Sequence, residues 1–562
     1  MTDLGWIFMA IGIICLIIGY GFWNHITNLK IINNKIKESW GERKDVSELD
    51  NRDFSLISSY FENTKYKSEF YIDDITWNDL NMKEVFNCIN RAYTSVGEEF
   101  LYYTLRTPLF RIEDLKFKDN ITNELSSNLF EREKIAFLLA NLGKSKKSDI
   151  SSLFTLKSIT SKSLLIYRIL SILPLVFLGL FFINKIWIVF VIGSITLNAF
   201  LHLANFKDKS YLSENISYVI EVIKCANEIA NKDFTIINKY FPNIKESIGS
   251  IKDVTKGIFS ISNSNSLNEL DIIGEYFKMF FLMDIITLEK ASLIIEKNTD
   301  YLIEIYKFIG MIDLCISIGS YRESLDYYCR PGITLNSNVK NLEFKDIYHP
   351  LIEDPVSNSC NIKKSILLTG SNASGKSTFL RTLAINSILG QTIYTCLSNS
   401  YTTSFFKIYT SMALKDNIFS NDSYYIAEIK SLKRIIDEVD GDIPCLCFID
   451  EVLRGTNTIE RIAASSEVLN YIGNRNSICI GATHDLELTN ILECVFNNYH
   501  FQEYIEDDQV VFDYKLYSGK SETRNAIRLL RLLEYEDEIV NKAEYRARVF
   551  SETGLWEKIK NN

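Results

Sequence analysis

Residues 370–378 have the residue types and spacing of a loop that binds nucleotide phosphates. The loop matches GxxxxGK[ST], and it lies between the apolar run 365–369 and a helical pattern at 379–384. Glycines let backbone N–H groups curl around phosphate oxygens, and the helix that follows adds the positive end of its dipole. The residues expected to bind ATP here are Gly370, Ser371, Asn372, Ala373, Ser374, Gly375, Lys376, Ser377 and Thr378.

Two side chains of this loop are expected to have tasks of their own. The Lys376 ammonium would reach the β- and γ-phosphates of ATP, so it would serve catalysis as well as binding. The Ser377 hydroxyl would be a ligand of Mg²⁺, which prefers oxygen ligands next to phosphates. ATP and Mg²⁺ are therefore the predicted cofactors.

Three more polar residues follow strand-like apolar runs and could act on the γ-phosphate. Asp450 and Glu451 end the run 445–449, and His484 ends the run 477–483. We expect Asp450 to hold Mg²⁺ and Glu451 to polarise the attacking water as the catalytic base. His484 would hydrogen-bond the γ-phosphate as a third catalytic residue. The alternatives are an exposed acidic turn, which the phosphate-binding loop disfavours, and a histidine with a structural role.

The charge balance gives no support for a large nucleic-acid-binding surface. The 562 residues hold 61 Lys and Arg against 71 Asp and Glu, a net charge of −10, whereas dedicated nucleic-acid binders are more often basic. The 11 cysteines include no CxxC pair, and there are only 5 histidines. We therefore expect reduced thiols and no structural metal.

Long runs without charge predict three membrane-spanning helices. Residues 4–23 carry no charged side chain and could cross a bilayer as one helix. Residues 164–206 would form a helical hairpin with its turn at 184–185. Basic residues flank the inner ends, which predicts an integral protein of a bacterial-type cell membrane with an outer N-terminus and a cytoplasmic ATPase domain. The alternatives are a cleaved signal peptide, disfavoured because no basic residue precedes the run, and a buried soluble hairpin.

A change in sequence pattern near residue 331 divides the chain. Apolar residues recur at helical spacing before it, and short β-rich runs alternate with helices after it. The predicted division is a transmembrane anchor (1–24), a juxtamembrane linker (25–74), a first part of a helical core (75–163), the transmembrane hairpin (164–206), a second part of that core (207–335), an ATPase domain (336–545) and a C-terminal tail (546–562).

The motifs around the predicted ATP site resemble those of the MutS family. Residues 450–458 (DEVLRGTNT) resemble the family's D-E-x-x-R-G-T-[ST]-T, and residues 482–489 (ATHDLELT) resemble its A-T-H-x-x-E-L-T. Residues 348–350 and 498–501 resemble its H-P entry and its N-Y-H-[FM] strand. The resemblance is strongest over residues 345–530. It implies an α/β P-loop ATPase domain of the ABC type, preceded by an all-α core that here carries transmembrane helices.

The resemblance also implies a homodimer. In this family two ATPase domains pair head to tail, and each completes the ATP site of the other. The matching segment is 421–425, where the family usually has G-x-S-T-F, so Ser423 would reach the ATP of the partner. Asn457 would contact ATP beside the dimer axis. Two residues of the segment depart from the pattern, and the family's S-[YF]-G-I is lost around 524–527, where a dimer-locking tail would begin.

Mismatch recognition by the family's mechanism is not expected. Mismatch-repair members begin with a recognition domain that carries F-x-E, but this sequence has F-x-E only at 501–503 and 550–552. We expect a membrane-anchored ATP hydrolase whose dimer switch acts on DNA or a DNA-associated partner. The basic stretch 144–147 is a candidate DNA contact, but its position near the hairpin favours contact with anionic lipid. The alternative is a mechanochemical or signalling ATPase of the membrane that does not bind DNA. A transporter is disfavoured because three spans are too few for a pathway in one chain.

Overall fold

The chain enters each of its two structural units more than once. The first, here called the helical unit, comprises Met1–Tyr71, Phe86–Thr107 and Glu113–Leu325. The second, here called the α/β unit, comprises Ile72–Val85, Pro108–Ile112 and Asp326–Asn562. The structure is a computed structural model, and the residues it describes are 3–44, 53–155, 161–204, 206–258, 276–334, 340–371, 374–412, 424–454, 456–506, 509–520, 527, 530–531 and 535–559.

The helical unit is built as the helical spacing of its apolar residues predicts. The helices before residue 324 are, in chain order, α1 (Asp3–Glu38), α2 (Phe54–Thr64), α3 (Asp74–Asp79), α4 (Met82–Ile89), α5 (Ser95–Arg106), α6 (Ile112–Ser127), α7 (Leu129–Leu142), α8 (Ser161–Phe181), α9 (Ile188–Ala204), α10 (Phe206–Asn231), α11 (Thr235–Tyr240), α12 (Ile244–Ile258), α13 (Met283–Lys297) and α14 (Thr299–Glu323). Of these, α3 and the start of α4 belong to the α/β unit.

A close approach of α5 to α14 organises the core of the helical unit. Asp313 of α14 is fully buried and accepts hydrogen bonds from the backbone N–H groups of Tyr93 (3.0 Å) and Thr94 (2.9 Å), just before α5. A Cβ atom at Gly97 would lie 2.1 Å from Asp313 Oδ2, so only glycine fits there. Burial raises the pKa of Asp313 to about 6, although these hydrogen bonds oppose the shift.

The predicted hairpin is present as two long apolar helices. The helices α8 and α9 are joined by a turn in which the Asn184 side chain accepts a hydrogen bond from the backbone N–H of Ile186. Within the described residues, the segments Leu164–Phe181 and Lys185–Ala204 are long and apolar enough to cross a membrane, on length and composition alone. Only 6% and 17% of these segments are buried. The other predicted span, residues 4–23, is part of the 36-residue helix α1.

One polar residue of the hairpin, Asn198 of α9, is fully buried. Pro174 lies inside α8 and has no N–H, so the carbonyl of Leu170, four residues earlier, lacks its helical donor. The Asn198 side-chain NH₂ donates to that carbonyl (3.0 Å) and to the carbonyl of Phe280 (2.8 Å). The amide therefore compensates for the proline and ties both hairpin helices to the segment that precedes α13.

The α/β unit contains all the strands of the described chain. They are β1 (Gly332–Thr334), β2 (Leu342–Ile347), β3 (Asn358–Ile362), β4 (Ile366–Thr369), β5 (Ser400–Ser404), β6 (Lys407–Ser411), β7 (Cys445–Asp450), β8 (Ser477–Ala482), β9 (Asn497–His500), β10 (Glu503–Glu506), β11 (Gln509–Phe512) and β12 (Tyr517–Ser518). The helices among them are α15 (Lys376–Thr392), α16 (Tyr424–Ile436), α17 (Thr458–Gly473), α18 (Leu486–Ile491) and α19 (Asp537–Thr553).

A six-stranded sheet positions the predicted site. Its order is β12-β9-β4-β8-β7-β6, and only β12 runs antiparallel to its neighbour. The strands β4, β8 and β7 are adjacent and almost fully buried, and each agrees within one residue with the strand that its apolar run predicts. Because the carboxyl ends of parallel strands meet at one edge, the three polar segments that follow them come together.

A short segment from the N-terminal part of the sequence also belongs to the α/β unit. The Asp79 carboxylate accepts hydrogen bonds from the Thr410 hydroxyl (2.7 Å) and the backbone N–H of Met412 (3.0 Å) at the end of β6. The Arg381 side chain of α15 donates to the carbonyl of Asp79 (2.9 Å). The sequence-based division placed this segment in the linker and the helical core, whereas these hydrogen bonds join it to the α/β unit. The parts of the α/β unit outside the predicted ATPase domain are residues 72–85, 108–112, 326–335 and 546–562.

Candidate functional site

The phosphate-binding loop leads from β4 into α15 with two glycines in the left-handed region. Gly370 has φ +138° and Gly375 has φ +100°, and a Cβ atom at Gly370 would lie 2.6 Å from the Phe501 carbonyl oxygen. The ammonium of Lys376 is buried and donates to the carbonyls of Gly370 (2.7 Å) and Ser371 (2.6 Å). Burial lowers the pKa of Lys376 to about 8, although nearby carboxylates oppose the shift. Asn372 and Ala373 lie outside the described residues.

Two serines of this loop make hydrogen bonds that hold it. The Ser374 hydroxyl donates to the carbonyl of Ser371 (2.8 Å), so the loop is closed on itself. The Ser371 hydroxyl donates to the carboxylate of Glu503 (2.8 Å), which is buried in β10. The F-x-E match at 501–503 is therefore part of the α/β unit, beside the phosphate-binding loop.

Ser377 and Asp450 meet across the sheet edge as a magnesium site requires. The Ser377 hydroxyl donates to Asp450 Oδ2 at 2.5 Å. Asp450 Oδ1 is buried and has no hydrogen-bond partner among the described residues. Burial raises the pKa of Asp450, although the bond from Ser377 opposes the shift. One carboxylate oxygen in need of a partner and one hydroxyl fit Mg²⁺, which takes few protein ligands and completes its shell with phosphates and water.

Glu451 is held by two cationic or hydrogen-bonding neighbours. Glu451 Oε1 lies 2.7 Å from Nε2 of His484, and its other oxygen forms an ion pair with Arg454. The backbone N–H of Glu451 donates to the carbonyl of Ala482 (2.9 Å), which fixes the carboxylate at the end of β8. Burial would raise the pKa of Glu451, but His484, Arg454 and Lys376 outweigh burial and lower it. Glu451 is therefore a carboxylate near neutral pH, as a base must be.

Two further residues, Asn457 and Ser423, were predicted to contact ATP. The Asn457 side chain accepts a hydrogen bond from the backbone N–H of Glu460 (3.0 Å), so it caps the start of α17. Arg461, one turn later, forms a two-pronged ion pair with Asp485 (2.6 and 2.8 Å), which ties α17 to the loop of His484. Ser423 lies outside the described residues, and its role stays a prediction.

A cavity of about 600 Å³ opens beside the phosphate-binding loop. Tyr514, in the left-handed region with φ +53°, borders it and would lie 3.1 Å from a Cβ atom on Gly375. Asn358 holds this tyrosine on both sides, since it donates to the Tyr514 carbonyl (2.9 Å) and accepts from the backbone N–H of Leu516 (2.8 Å). His349 also borders the cavity, and burial lowers its pKa to about 4. The remaining lining includes Ile352, Pro355, Val356, Thr382 and Phe501.

Sequence reasoning did not identify Tyr514 or Asn358 as site residues. Neither lies in a motif, and the loop that brings Tyr514 back to Gly375 follows the hairpin of β10 and β11. The only local signal is that residues 512–516 (FDYKL) alternate between apolar and polar types, which predicts a strand and not a ligand contact. His349 was noted only as part of the H-P entry.

Comparison with known proteins agrees with this geometry. Residues 366–551 match the family model for MutS domain V. The DNA mismatch repair protein MutS of Pseudothermotoga lettingae is 29% identical over 260 residues, 44% of this chain and 31% of that protein. MutS of Staphylococcus carnosus is 27% identical over 272 residues (46% and 30%), and MutS protein homolog 4 of Mus musculus is 27% identical over 292 residues (48% and 30%).

Residues 366–551 are therefore similar to domain V of MutS proteins. The matched region spans about 30% of the length of the relatives. The region that carries the match includes the phosphate-binding loop, Asp450, Glu451 and His484. The helical unit, which carries the apolar hairpin, lies outside residues 366–551.

Proposed function

We propose that the α/β unit is an ABC-type P-loop ATPase domain that hydrolyses ATP to ADP and phosphate with Mg²⁺. The observation that carries the proposal is the meeting of Lys376, the Ser377–Asp450 pair and the Glu451–His484 pair at one sheet edge. Phosphates, metal and attacking water need these three groups next to one another. The cavity bordered by Tyr514 continues from the phosphate-binding loop and has room for the base and ribose.

The chain's own residues would divide the reaction as follows. Lys376 would turn from the loop carbonyls to the phosphates and neutralise their charge, in a buried place where a charge-assisted bond is strong. Ser377 and Asp450 would hold Mg²⁺, which when bound neutralises phosphate charge and orients the γ-phosphate. Glu451 would accept a proton from the attacking water, and His484, beside it, would hold the carboxylate and contact the γ-phosphate.

The proposal includes a homodimer that ATP controls. It rests on the family resemblance, since Ser423 would complete the site of a second copy and Asn457 would lie near the two-fold axis. Asn457 lies at the start of α17, six residues beyond Glu451. A second copy of the chain that contacts Asn457 would therefore be linked to the loop of Glu451 and to the loop of His484. ATP would add charge-assisted hydrogen bonds across the interface that ADP cannot make.

The proposal also places the chain in a membrane, with the α/β unit in the cytoplasm. Large apolar side chains of α8 and α9 are exposed, among them Ile169, Leu175, Val176, Val189 and Phe200, and lipid would cover them. Asn198 supports the same reading. A carbonyl freed by a proline must find a donor inside a bilayer, where water cannot supply one, and Asn198 supplies it.

Membrane anchoring can be tested by extraction. We expect the protein to stay in the membrane pellet after an alkaline carbonate wash without detergent. A variant that lacks residues 1–24 should also stay, because the hairpin remains. Deletion of residues 161–204 as well should release the chain, because no apolar span is then left. Recovery of the unaltered protein in the soluble fraction would contradict the proposal.

The target of the switch is proposed to be DNA or a DNA-associated partner, without mismatch recognition. The family match favours DNA, since the relatives in bacteria are named for DNA mismatch repair. A second candidate function, a mechanochemical or signalling ATPase of the membrane, is favoured by the exposed hairpin. The basic stretch 144–147 supports DNA less than its sequence suggests, because Lys144 forms an ion pair with the buried Glu98 and Lys147 lies 3.8 Å from Glu214.

Salt-dependent DNA binding separates the two candidates. The detergent-solubilised protein would be titrated with duplex, branched and single-stranded DNA at rising salt, with and without Mg-ATP. If DNA is the target, binding should weaken steeply with salt, because each neutralised phosphate releases a counterion. The ATP effect should vanish in Lys376→Ala. Failure to bind any of the three at about 50 mM salt, where such contacts are strong, would favour the membrane alternative.

A further inference from the structure

A buried carboxylate on α16 contacts the loop that carries Glu451. Glu428 is buried, and its Oε1 accepts hydrogen bonds from the backbone N–H of Leu453 at 2.5 Å and of Arg454 at 3.3 Å. Its Oε2 is buried and has no hydrogen-bond partner among the described residues. Burial raises the pKa of Glu428, although the two backbone N–H groups oppose the shift. Burial of the Glu428 carboxylate therefore costs solvation free energy.

The loop that Glu428 contacts is strained. Glu451 has φ +54° and Leu453 has φ +57°, and neither residue is a glycine. L-residues rarely adopt this region, so the loop keeps this shape only if its surroundings hold it. Beyond the bond from the Glu451 N–H to Ala482, the Ser465 hydroxyl of α17 donates to the Val452 carbonyl (3.1 Å), and Glu428 accepts from the next two N–H groups.

The same loop orients the catalytic carboxylate. The Arg454 side chain forms an ion pair with Glu451, while its backbone N–H is bound by Glu428. A shift of the Arg454 backbone would therefore move the guanidinium and change the direction in which Glu451 points. His484 then holds the other oxygen of Glu451 at 2.7 Å. Glu428 acts on the site through Arg454 and does not itself reach the reacting atoms.

We infer that Glu428 is a positioning residue for ATP hydrolysis, which aims Glu451 by holding the strained 451–454 loop through its two backbone N–H groups. The inference rests on the proposed hydrolase function of the site. It predicts that the loss of Glu428 lowers kcat and leaves the affinity for ATP nearly unchanged, because the phosphate-binding loop and Lys376 make none of these contacts. A residue needed only for folding would affect both together.

The test compares five variants of the full-length protein, the fifth being Glu451→Gln alone as the reference for the double variant. Glu428→Leu keeps the size of the side chain and removes both acceptors, and it should lower kcat by about 100-fold, the loss that a misplacement of about 1 Å can cause. Glu428→Gln keeps one acceptor oxygen for the two N–H groups, so it should lose markedly less than Glu428→Leu. Ile429→Ala, at an exposed neighbouring position, is the matched control and should behave as the unaltered protein. The affinity for a fluorescent ATP analogue and the melting temperature would be measured for each.

The fourth variant tests the route of the effect. If Glu428 acts only through Glu451, then Glu428→Leu combined with Glu451→Gln should be no slower than Glu451→Gln alone. Multiplied losses in the double variant, an unchanged kcat in Glu428→Leu, or a loss of ATP affinity equal to the loss of kcat would each overturn the inference. An unaltered protein that does not hydrolyse ATP would instead overturn the proposed function.

Discussion

Replacing Glu451 by glutamine should slow ATP hydrolysis by about 100- to 10,000-fold, the usual contribution of a positioned general base. The expected cause is loss of proton acceptance, since an amide has nearly the same shape as the carboxylate but is not a base. The neighbours of Glu451 lower its pKa, so at neutral pH the side chain is ionised, as a proton acceptor must be. Phosphate release in a steady-state assay with Mg-ATP measures the effect. Equal turnover in Glu451→Gln and in the unaltered protein would remove the catalytic assignment.

Lys376→Ala is the matching variant for binding. Glu451→Gln should still bind ATP, whereas Lys376→Ala should lose measurable binding, because the phosphates would lose a buried cationic partner.

The pH dependence of ATP binding gives a second check on the lysine. Burial lowers the pKa of Lys376 to about 8, and only the protonated form binds phosphate as a cation. The affinity of the unaltered protein for ATP should therefore weaken as the pH rises through about 8. Affinity that is flat to pH 10 would contradict this role.

The second large effect is expected on the oligomeric state. Glu451→Gln should trap ATP, and with Mg-ATP it should form a tighter dimer than the ADP form. Two reciprocal charge-assisted hydrogen bonds from Ser423, each worth about 1.5–3 kcal/mol, would tighten the dimer by more than about 100-fold. Ser423→Arg should block that tightening and leave binding of ATP within one chain intact, because Lys376 and the loop are unchanged.

Sedimentation of the purified, detergent-solubilised protein in both nucleotide states measures this. The control is Ser423→Ala, which removes the hydroxyl without adding bulk or charge, and it should give an intermediate result. A dimer that is indifferent to nucleotide would remove the case for a site shared between two copies. A Ser423→Arg variant that hydrolyses ATP at the normal rate would also remove the case for a shared site.

Local sequence was sufficient to predict which residues meet at the sheet edge that is proposed to bind ATP. The phosphate-binding loop, Asp450, Glu451 and His484 each follow a buried parallel strand, and the three strands are adjacent in the sheet. Such prediction works because apolar runs of strand length and the polar residues after them are readable without knowing how the chain packs. The same holds for the hairpin, whose two helices are as long and apolar as the sequence implies.

Other features depend on contacts between distant parts of the chain. Residues 72–85 are helical by pattern, but hydrogen bonds such as those that join Asp79 to Met412 and Arg381 show that they belong to the α/β unit. Glu428 and Tyr514 look like ordinary residues of a helix and a loop. Glu428 reaches the site because its helix, α16, packs behind the 451–454 loop. Tyr514 reaches it because the chain returns over Gly375.

The groups proposed to bind phosphate, hold Mg²⁺ and activate water can be predicted from the sequence, because each motif is contiguous and follows its own strand. The tertiary structure alone decided what holds those groups. The buried carboxylate of Glu428 holds the strained backbone at Glu451 and Leu453. The amide of Asn198 serves a carbonyl freed by Pro174. Both contacts join residues far apart in sequence. A hydrogen bond between distant residues leaves no pattern in either stretch of sequence, so only packing reveals it.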